Sequence, residues 1–367
     1  MKVVHVFWSL MFGGIETMLV NITNAQAQSN ANVYIIIIND NCDKTLINAL
    51  NRNVRVVFLY RKLHSKGFQF IFKFNRALRK IKPDIIHLHD PHLFGLIFSR
   101  QLRNITCVTL HDVPYGSLCG SSILQRKILA LNFRLAGNVV YLDKIPQVFS
   151  ISNIVQKELY NKFGVDSIIV NNGIDTSRFK QRHQRGINQP MRLVQVSRLD
   201  HKKKGQDLLI KAVAKLKGRI EVDFVGDGES LTYLSNLSRK LDVEHYVHFL
   251  GKKSQSFIFE NLQNYDLFVQ PSRYEGFGLT VAEAMAAKVP VLVTEGEGPA
   301  EITCNEKYGW TFKNGDIDDL VNKIVCIQRL YAEAMDKAEK ARLYVCNNYN
   351  VTVTARKYLE EYTNMKK

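Results

Sequence analysis

The stretch Ser272-Arg-Tyr-Glu-Gly-Phe-Gly-Leu-Thr-Val-Ala-Glu-Ala-Met285, closed by Val289-Pro-Val-Leu292, decides how this chain folds and where its chemistry sits. An apolar strand, Leu267–Gln270, precedes it, a helix follows the glycine turn, and a second apolar strand comes next. The turn carries one carboxylate, Glu275, and the helix carries a second, Glu283. Gly276 and Gly278 let the backbone bend and approach a ligand closely. The unpaired amides at the start of the helix favour anions such as phosphate. Two hydroxyl-binding carboxylates around a phosphate-binding helix terminus describe a nucleotide-sugar site.

Working outward, apolar runs of strand length alternate with amphipathic segments along the whole chain. The first series of strands reads Lys2–Trp8, Val33–Ile38, Val54–Leu59, Asp84–Leu88, Ile105–Leu110, Val148–Ser150 and Ile168–Val170. The second reads Arg192–Val196, Glu221–Val225, Val247–Leu250, Leu267–Gln270 and Val289–Val293. Helical stretches such as Gly14–Ala27, Asp207–Leu216 and Leu231–Leu241 lie between them. Such alternation implies parallel sheets covered on both faces. The expected fold class is therefore α/β, with two doubly wound, Rossmann-like domains. The polar segment Thr176–Pro190 reads as a linker between residues 1–178 and 190–345. Asp316–Val345 and Thr352–Met365 read as helices, and residues 346–367 are expected to pack back toward the N-terminal domain. Ligands of open parallel sheets bind at the carboxyl ends of the strands, so the site is expected in a cleft between the domains.

A chain of 367 residues, with 46% hydrophobic and 23% charged residues, is ordinary globular material for two domains. Every apolar run breaks well short of the about 18 residues a membrane span needs. The six cysteines show no paired or metal-type spacing, which points to free thiols in a reducing cytoplasm. The net charge of +16 is uneven: residues 1–180 hold 22 Lys and Arg against 10 Asp and Glu. Ten basic and no acidic residues fall between Arg52 and Lys82, around Phe68-Gln-Phe-Ile-Phe-Lys-Phe74. A basic segment interleaved with aromatics suits an anionic membrane surface, while a core-packing helix with a solvated basic face explains the same pattern. Nucleic acid is the weakest of the three fits and is not expected as a partner.

Other motifs sit just after strands. Gly13-Gly14-Ile15-Glu16 opens the first helix and lets a phosphate or sugar approach the backbone, although a glycine pair there also serves a purely structural turn. Arg198 leaves the first strand of the second domain, and Lys204 precedes Gly205 at the next helix. An Arg fork and a Lys point charge together suit a diphosphate and the charge that develops as it departs. Lys202 and Lys203 compete with Lys204 for that role; adjacency to Gly205 favours Lys204. His87-Leu-His89 and His111-Asp112 invite a metal reading, yet His87 and His89 flank one strand residue and at least one must point into packing. His111 reads better as a donor to a sugar hydroxyl. Asp316-Ile-Asp318 reads as a helix cap, and Phe249-Leu250-Gly251 as a strand end offering backbone groups to a base.

Together these residues resemble family 4 of the retaining nucleotide-sugar glycosyltransferases, which have the GT-B fold. The resemblance covers nearly the whole chain, and the Glu275-to-Glu283 element is its most specific part. It implies that Glu275 contacts the donor sugar and Glu283 the ribose. It gives the diphosphate to Arg198 and Lys204, and the sugar and β-phosphate to the amides of Gly276, Phe277, Gly278, Leu279 and Thr280. Gly13 and Gly14 would border the diphosphate or acceptor, and Leu250 the base. His111, Glu275, Arg198 and Lys204 would carry catalysis. The implied reaction moves a hexose or N-acetylhexosamine, UDP-linked, to a glycan or lipid-linked acceptor in cell-envelope polysaccharide synthesis. It needs no cofactor and no divalent metal, and it takes place in the cytoplasm, with peripheral attachment to the membrane. A nucleotide-sugar 2-epimerase of the same architecture is the alternative.

Overall fold

The computed structural model describes residues 1–11, 13–65, 67–112, 142–183 and 186–366. The chain divides into two units, Met1–Gly173 with Val351–Lys367, and Ile174–Asn350. In the first unit the strands are β1 (Lys2–Phe7), β2 (Asn32–Asn39), β3 (Arg55–Arg61), β4 (Ile85–Leu88), β5 (Thr106–Leu110), β6 (Gln147–Ser150) and β7 (Ile168–Ile169). They form a parallel sheet in the order β3-β2-β1-β4-β5-β6-β7. Val3, Val4, Val6 and Ile35–Ile38 are buried without alternation, as strands covered on both faces must be. The helix Gly14–Gln28 packs against the last helix, Val351–Met365. That last helix inserts Tyr358 and Tyr362, both wholly buried, whose hydroxyls bond Thr109 and His87.

The second unit contains β8 (Met191–Val196), β9 (Ile220–Val225), β10 (Val247–Gly251), β11 (Leu267–Gln270), β12 (Val291–Thr294) and β13 (Trp310–Phe312). Its parallel sheet runs β10-β9-β8-β11-β12-β13. Leu193, Val222, Phe224, Leu267 and Val269 meet Leu209 and Val213 of the helix Gln206–Lys215 in one core. In both units the chain winds outward from a central strand and then crosses to its other side. This places topological switch points between β1 and β4 and between β8 and β11, where strand ends diverge and ligands bind.

Four local readings change. Strand β12 starts at Val291, not Val289, because Val289 N–H closes the preceding helix onto Ala284 O at 3.0 Å and Pro290 has no N–H to give. The long C-terminal helical segment breaks at Leu330 into Ile317–Arg329 and Tyr331–Asn348. Strand β13 was not expected; it is three residues long, with Phe312 alone fully buried. The polar segment Thr176–Pro190 is also no free linker. Arg182, 1% exposed, reaches Asp266 at 2.5 Å and donates to Gln263 O and Gly186 O, anchoring the segment inside the second unit. Polarity suggested a solvated connector; here the charge is buried because it is paired.

Candidate active site

The β8–β11 switch point brings together the two motifs of the second unit. After β8 the chain turns through Ser197 and Arg198 into the short helix His201–Lys204, capped by Asp200, which accepts from Lys203 N–H. Gly205 then takes φ +67°, and a Cβ there would lie 1.9 Å from Pro271 O, so only glycine fits. Gln195 and Gln206 fix this loop from below, donating to Lys204 O at 2.9 Å and Arg198 O at 2.8 Å. Arg198 is exposed and makes no ion pair among the described residues.

After β11 the chain enters the Glu275 turn, locked by Arg273. Arg273 donates both arms of its guanidinium to Asp207, at 2.8 and 2.9 Å, and also to His201 O at 2.6 Å. Burial alone would raise the Asp207 carboxyl, but the Arg273 fork outweighs it and holds that carboxyl below its ordinary value. One bidentate clamp thus ties the Arg198–Lys204 loop to the Glu275 turn. In consequence Lys204 donates directly to the Glu275 carboxylate, which also accepts from Gln270 at 3.3 Å. The Glu275 amide donates to Glu297 at 2.9 Å, and Gly298 N–H donates to Glu275 O at 2.8 Å.

The helix Leu279–Ala286 begins at Gly278, whose φ of +96° turns the chain into it. Gly276 and Gly278 are buried, and Leu279 and Thr280 are half-buried at the first turn, where amides lack intrahelical partners. Phe277 is 3% exposed and packs edge-on against Tyr349, so its ring belongs to the core and only its backbone faces the turn. Glu283 is buried, accepts from Gln255 at 3.0 Å, and has its carboxyl pushed by burial up to about 7, against the lowering effect of that bond. At β10 the pairing register slips between Phe249 and Gly251, leaving Leu250 out of the ladder.

In the first unit the expected residues fall at strand ends of one sheet. Gly13 caps the helix Gly14–Gln28 with an extended backbone, φ −171°, that any residue adopts. Its missing Cβ makes room instead for the Glu16 carboxylate, which would lie 2.4 Å away. His111 follows β5, and its Nε2 meets His89 Nδ1 at 3.1 Å. Burial lowers His111 to about 4, despite Asp90 and Asp112 nearby. His87 is the histidine committed to packing, bonding Tyr362 at 2.5 Å and Thr109 at 2.7 Å. Asp316 caps its helix by accepting from Asp319 N–H at 3.0 Å. Arg273, Asp207, Gln255, Gln270 and Glu297 had no assigned role in the sequence. Arg273 lies within the quoted motif and Gln270 just before it; Gln270 bonds Ser272 and Glu275 locally, whereas the partner of Arg273, Asp207, lies 66 residues away.

The sequence and the fold match known proteins. A model of glycosyltransferase family 4 matches residues 12–178, and a model of glycosyl transferases group 1 matches residues 177–343. The chain belongs to the family 4-like glycosyltransferases of GT-B fold. This glycosyltransferase is 27% identical over 292 residues to a glycogen synthase of Mycobacterium tuberculosis, covering 77% of this chain and 70% of that one. It is 23% identical over 329 residues to the lipopolysaccharide 1,6-galactosyltransferase of Salmonella typhimurium, covering 85% of each. The Anabaena protein HepE, solved with UDP and glucose, superposes with a TM-score of 0.79 at 21% identity, covering 99% of this chain and 100% of that one. Relatives of this glycosyltransferase therefore work in polysaccharide and lipopolysaccharide synthesis, and the epimerase alternative finds no support.

Proposed function

We propose that this glycosyltransferase moves a hexose or N-acetylhexosamine from a UDP-sugar to a hydroxyl of a glycan or lipid-linked acceptor, with retention, during cell-envelope polysaccharide synthesis in the cytoplasm. The observation that carries the reading is the Lys204–Glu275 ion pair beside the Leu279–Ala286 helix terminus, with Arg198 exposed and making no ion pair among the described residues at the same switch point. Lys204 and Glu275 satisfy each other across the turn. With donor, the diphosphate takes Lys204 and Arg198, and the sugar hydroxyls take Glu275. The amides of Leu279 and Thr280 complete the anion site, and Glu283 accepts from the ribose. Leu250, outside the β10 ladder, meets the base. In the first unit His111 holds a sugar hydroxyl, and Gly13 and Gly14 border the diphosphate or the acceptor.

Arg and Lys neutralise the departing diphosphate, so no divalent metal is needed. The anomeric bond breaks through an oxocarbenium-like state, the acceptor hydroxyl attacks from the same face, and the leaving phosphate takes its proton. The solved UDP-and-glucose complex of HepE supports a UDP-linked donor. The relatives named for glycogen and lipopolysaccharide support a glycan acceptor.

A panel of UDP-, GDP- and ADP-sugars, screened for binding and hydrolysis, identifies the donor, and linkage analysis of the product tests retention. A C2 epimer formed from donor alone would instead mark an epimerase. Glu275→Ala should abolish turnover while leaving the melting temperature within a few degrees; full turnover in that variant would remove Glu275 from the reaction.

A further inference from the structure

The histidines of the first unit form a chain of their own. His5 and His87 are register partners on β1 and β4, and alternate residues of a strand share a face, so His87 with His89, and Thr109 with His111, line up beside His5. His5 and His89 are buried, as is Gln26 on the helix above them. Gln26 presents its carbonyl oxygen to His5 Nε2 at 2.8 Å. His5 Nδ1 lies 3.0 Å from His89 Nε2, and His89 Nδ1 lies 3.1 Å from His111 Nε2. Burial brings His5 and His111 to about 4 and His89 well below its ordinary value, so all three rings are neutral near pH 7.

A neutral imidazole has one N–H and one lone pair. A carbonyl only accepts, so His5 carries its proton on Nε2 and accepts at Nδ1. His89 must then donate from Nε2 and accept at Nδ1, and His111 must donate from Nε2. Nδ1 of His111 is left as a bare acceptor, and it is buried with no hydrogen-bond partner among the described residues. Leaving such an atom unsatisfied is costly, whereas a ligand hydroxyl satisfies it. We propose that Gln26, His5 and His89 are positioning residues that hold His111 as its Nε2–H tautomer, so that Nδ1 accepts a hydrogen bond from a donor-sugar hydroxyl. The sugar contact rests on the place given to His111 above, with the direction expected from the sequence reversed, because its one N–H is spent on His89; the tautomer does not.

A rival use of the cluster is metal binding, since His5, His87 and His89 bring ring nitrogens within 4.8 Å of one another. His87, however, has both nitrogens engaged by Tyr362 and Thr109. The hydrogen-bonded chain accounts for every ring nitrogen of the set except His111 Nδ1.

Long-range proton–nitrogen spectra of the 367-residue protein, labelled at its ten histidines, read each tautomer directly. The His111 ring is assigned by its loss in His111→Gln. We expect an unprotonated Nδ1 in the wild type, the same state in Gln26→Glu, whose carboxylate also only accepts, and a mixture of tautomers in Gln26→Met. A wild-type His111 protonated at Nδ1 overturns the proposal, as does a tautomer indifferent to Gln26→Met. Adding Zn²⁺ should leave the rings unchanged; joint shifts of His5, His87 and His89 would make the cluster a metal site and also overturn it. If His111→Ala turns over the screened nucleotide sugars at full rate, the sugar contact fails while the tautomer result stands.

Discussion

Among single residues, Glu283 links burial most directly to binding. Its carboxyl is pushed up to about 7 because the surrounding helix and sheet exclude water. On the proposed ribose contact, the nucleotide selects the ionised form, because ribose hydroxyls donate more strongly to a carboxylate than to an acid. Above pH 7 that form is already present and affinity is flat. Below pH 7 a proton must leave, and affinity for UDP should fall by up to about tenfold per pH unit. Calorimetry with UDP at pH 6, 7 and 8 checks this. Glu283→Gln should weaken binding at pH 8 by about 1–3 kcal/mol and flatten the pH dependence; an undiminished slope in that variant removes Glu283 from the site. The histidines show the opposite sign, since burial keeps them neutral rather than protonated.

Among elements, two ion pairs of very different burial hold the second unit's loops. The Arg273–Asp207 clamp is partly exposed and fixes one loop against another. Its loss should misplace Lys204 relative to Glu275 and leave the buried Asp207 carboxylate with Lys211 alone. Arg273→Ala is therefore expected to lower kcat/KM by about 100-fold, with a lowered thermal melt, and Arg273→Lys, which keeps a charge on Asp207, to recover the melt more than the rate. The Arg182–Asp266 pair is buried, and Asp266 also accepts from Asn188 and from Arg192 N–H at 2.8 Å. Asp266→Ala strands a buried guanidinium and should cost about 3–5 kcal/mol, read by urea titration. A loss below about 1 kcal/mol would mean that water reaches Arg182.

For the whole molecule, charge and shape bear on where the enzyme works. The net charge is +16, and no helix of the described residues is long and apolar enough to cross a membrane. The helix Gln69–Ile81 buries Phe70, Ile71, Phe74 and Leu78, so most of its amphipathicity serves the core. Phe72 and Phe98 remain 66% and 54% exposed and stack edge-on, with Asn75 holding the Phe98 amide at 2.9 Å. Lys73, Arg76, Arg79 and Lys80 are exposed on the helix that carries Phe72. Sedimentation with phosphatidylserine vesicles should be strong at low salt and fall steeply toward 0.5 M, roughly as a Debye length shrinks to a few ångströms. Phe72→Ala with Phe98→Ala should weaken it at every salt concentration; binding unaffected by salt, or by both substitutions, argues against docking through this face. The alternation of apolar runs was enough to establish two parallel sheets, because strands buried on both faces leave an unbroken hydrophobic signature. The glycine turn and its carboxylates were legible too, since backbone bends and charge leave local marks. Short β13 left none. Which strand lies beside which is not written in local pattern, and neither is the pairing that follows from it. Only tertiary packing set Arg273 on Asp207, Lys204 on Glu275, and His5 on His89, because each bond joins residues that the chain separates and the sheet order reunites.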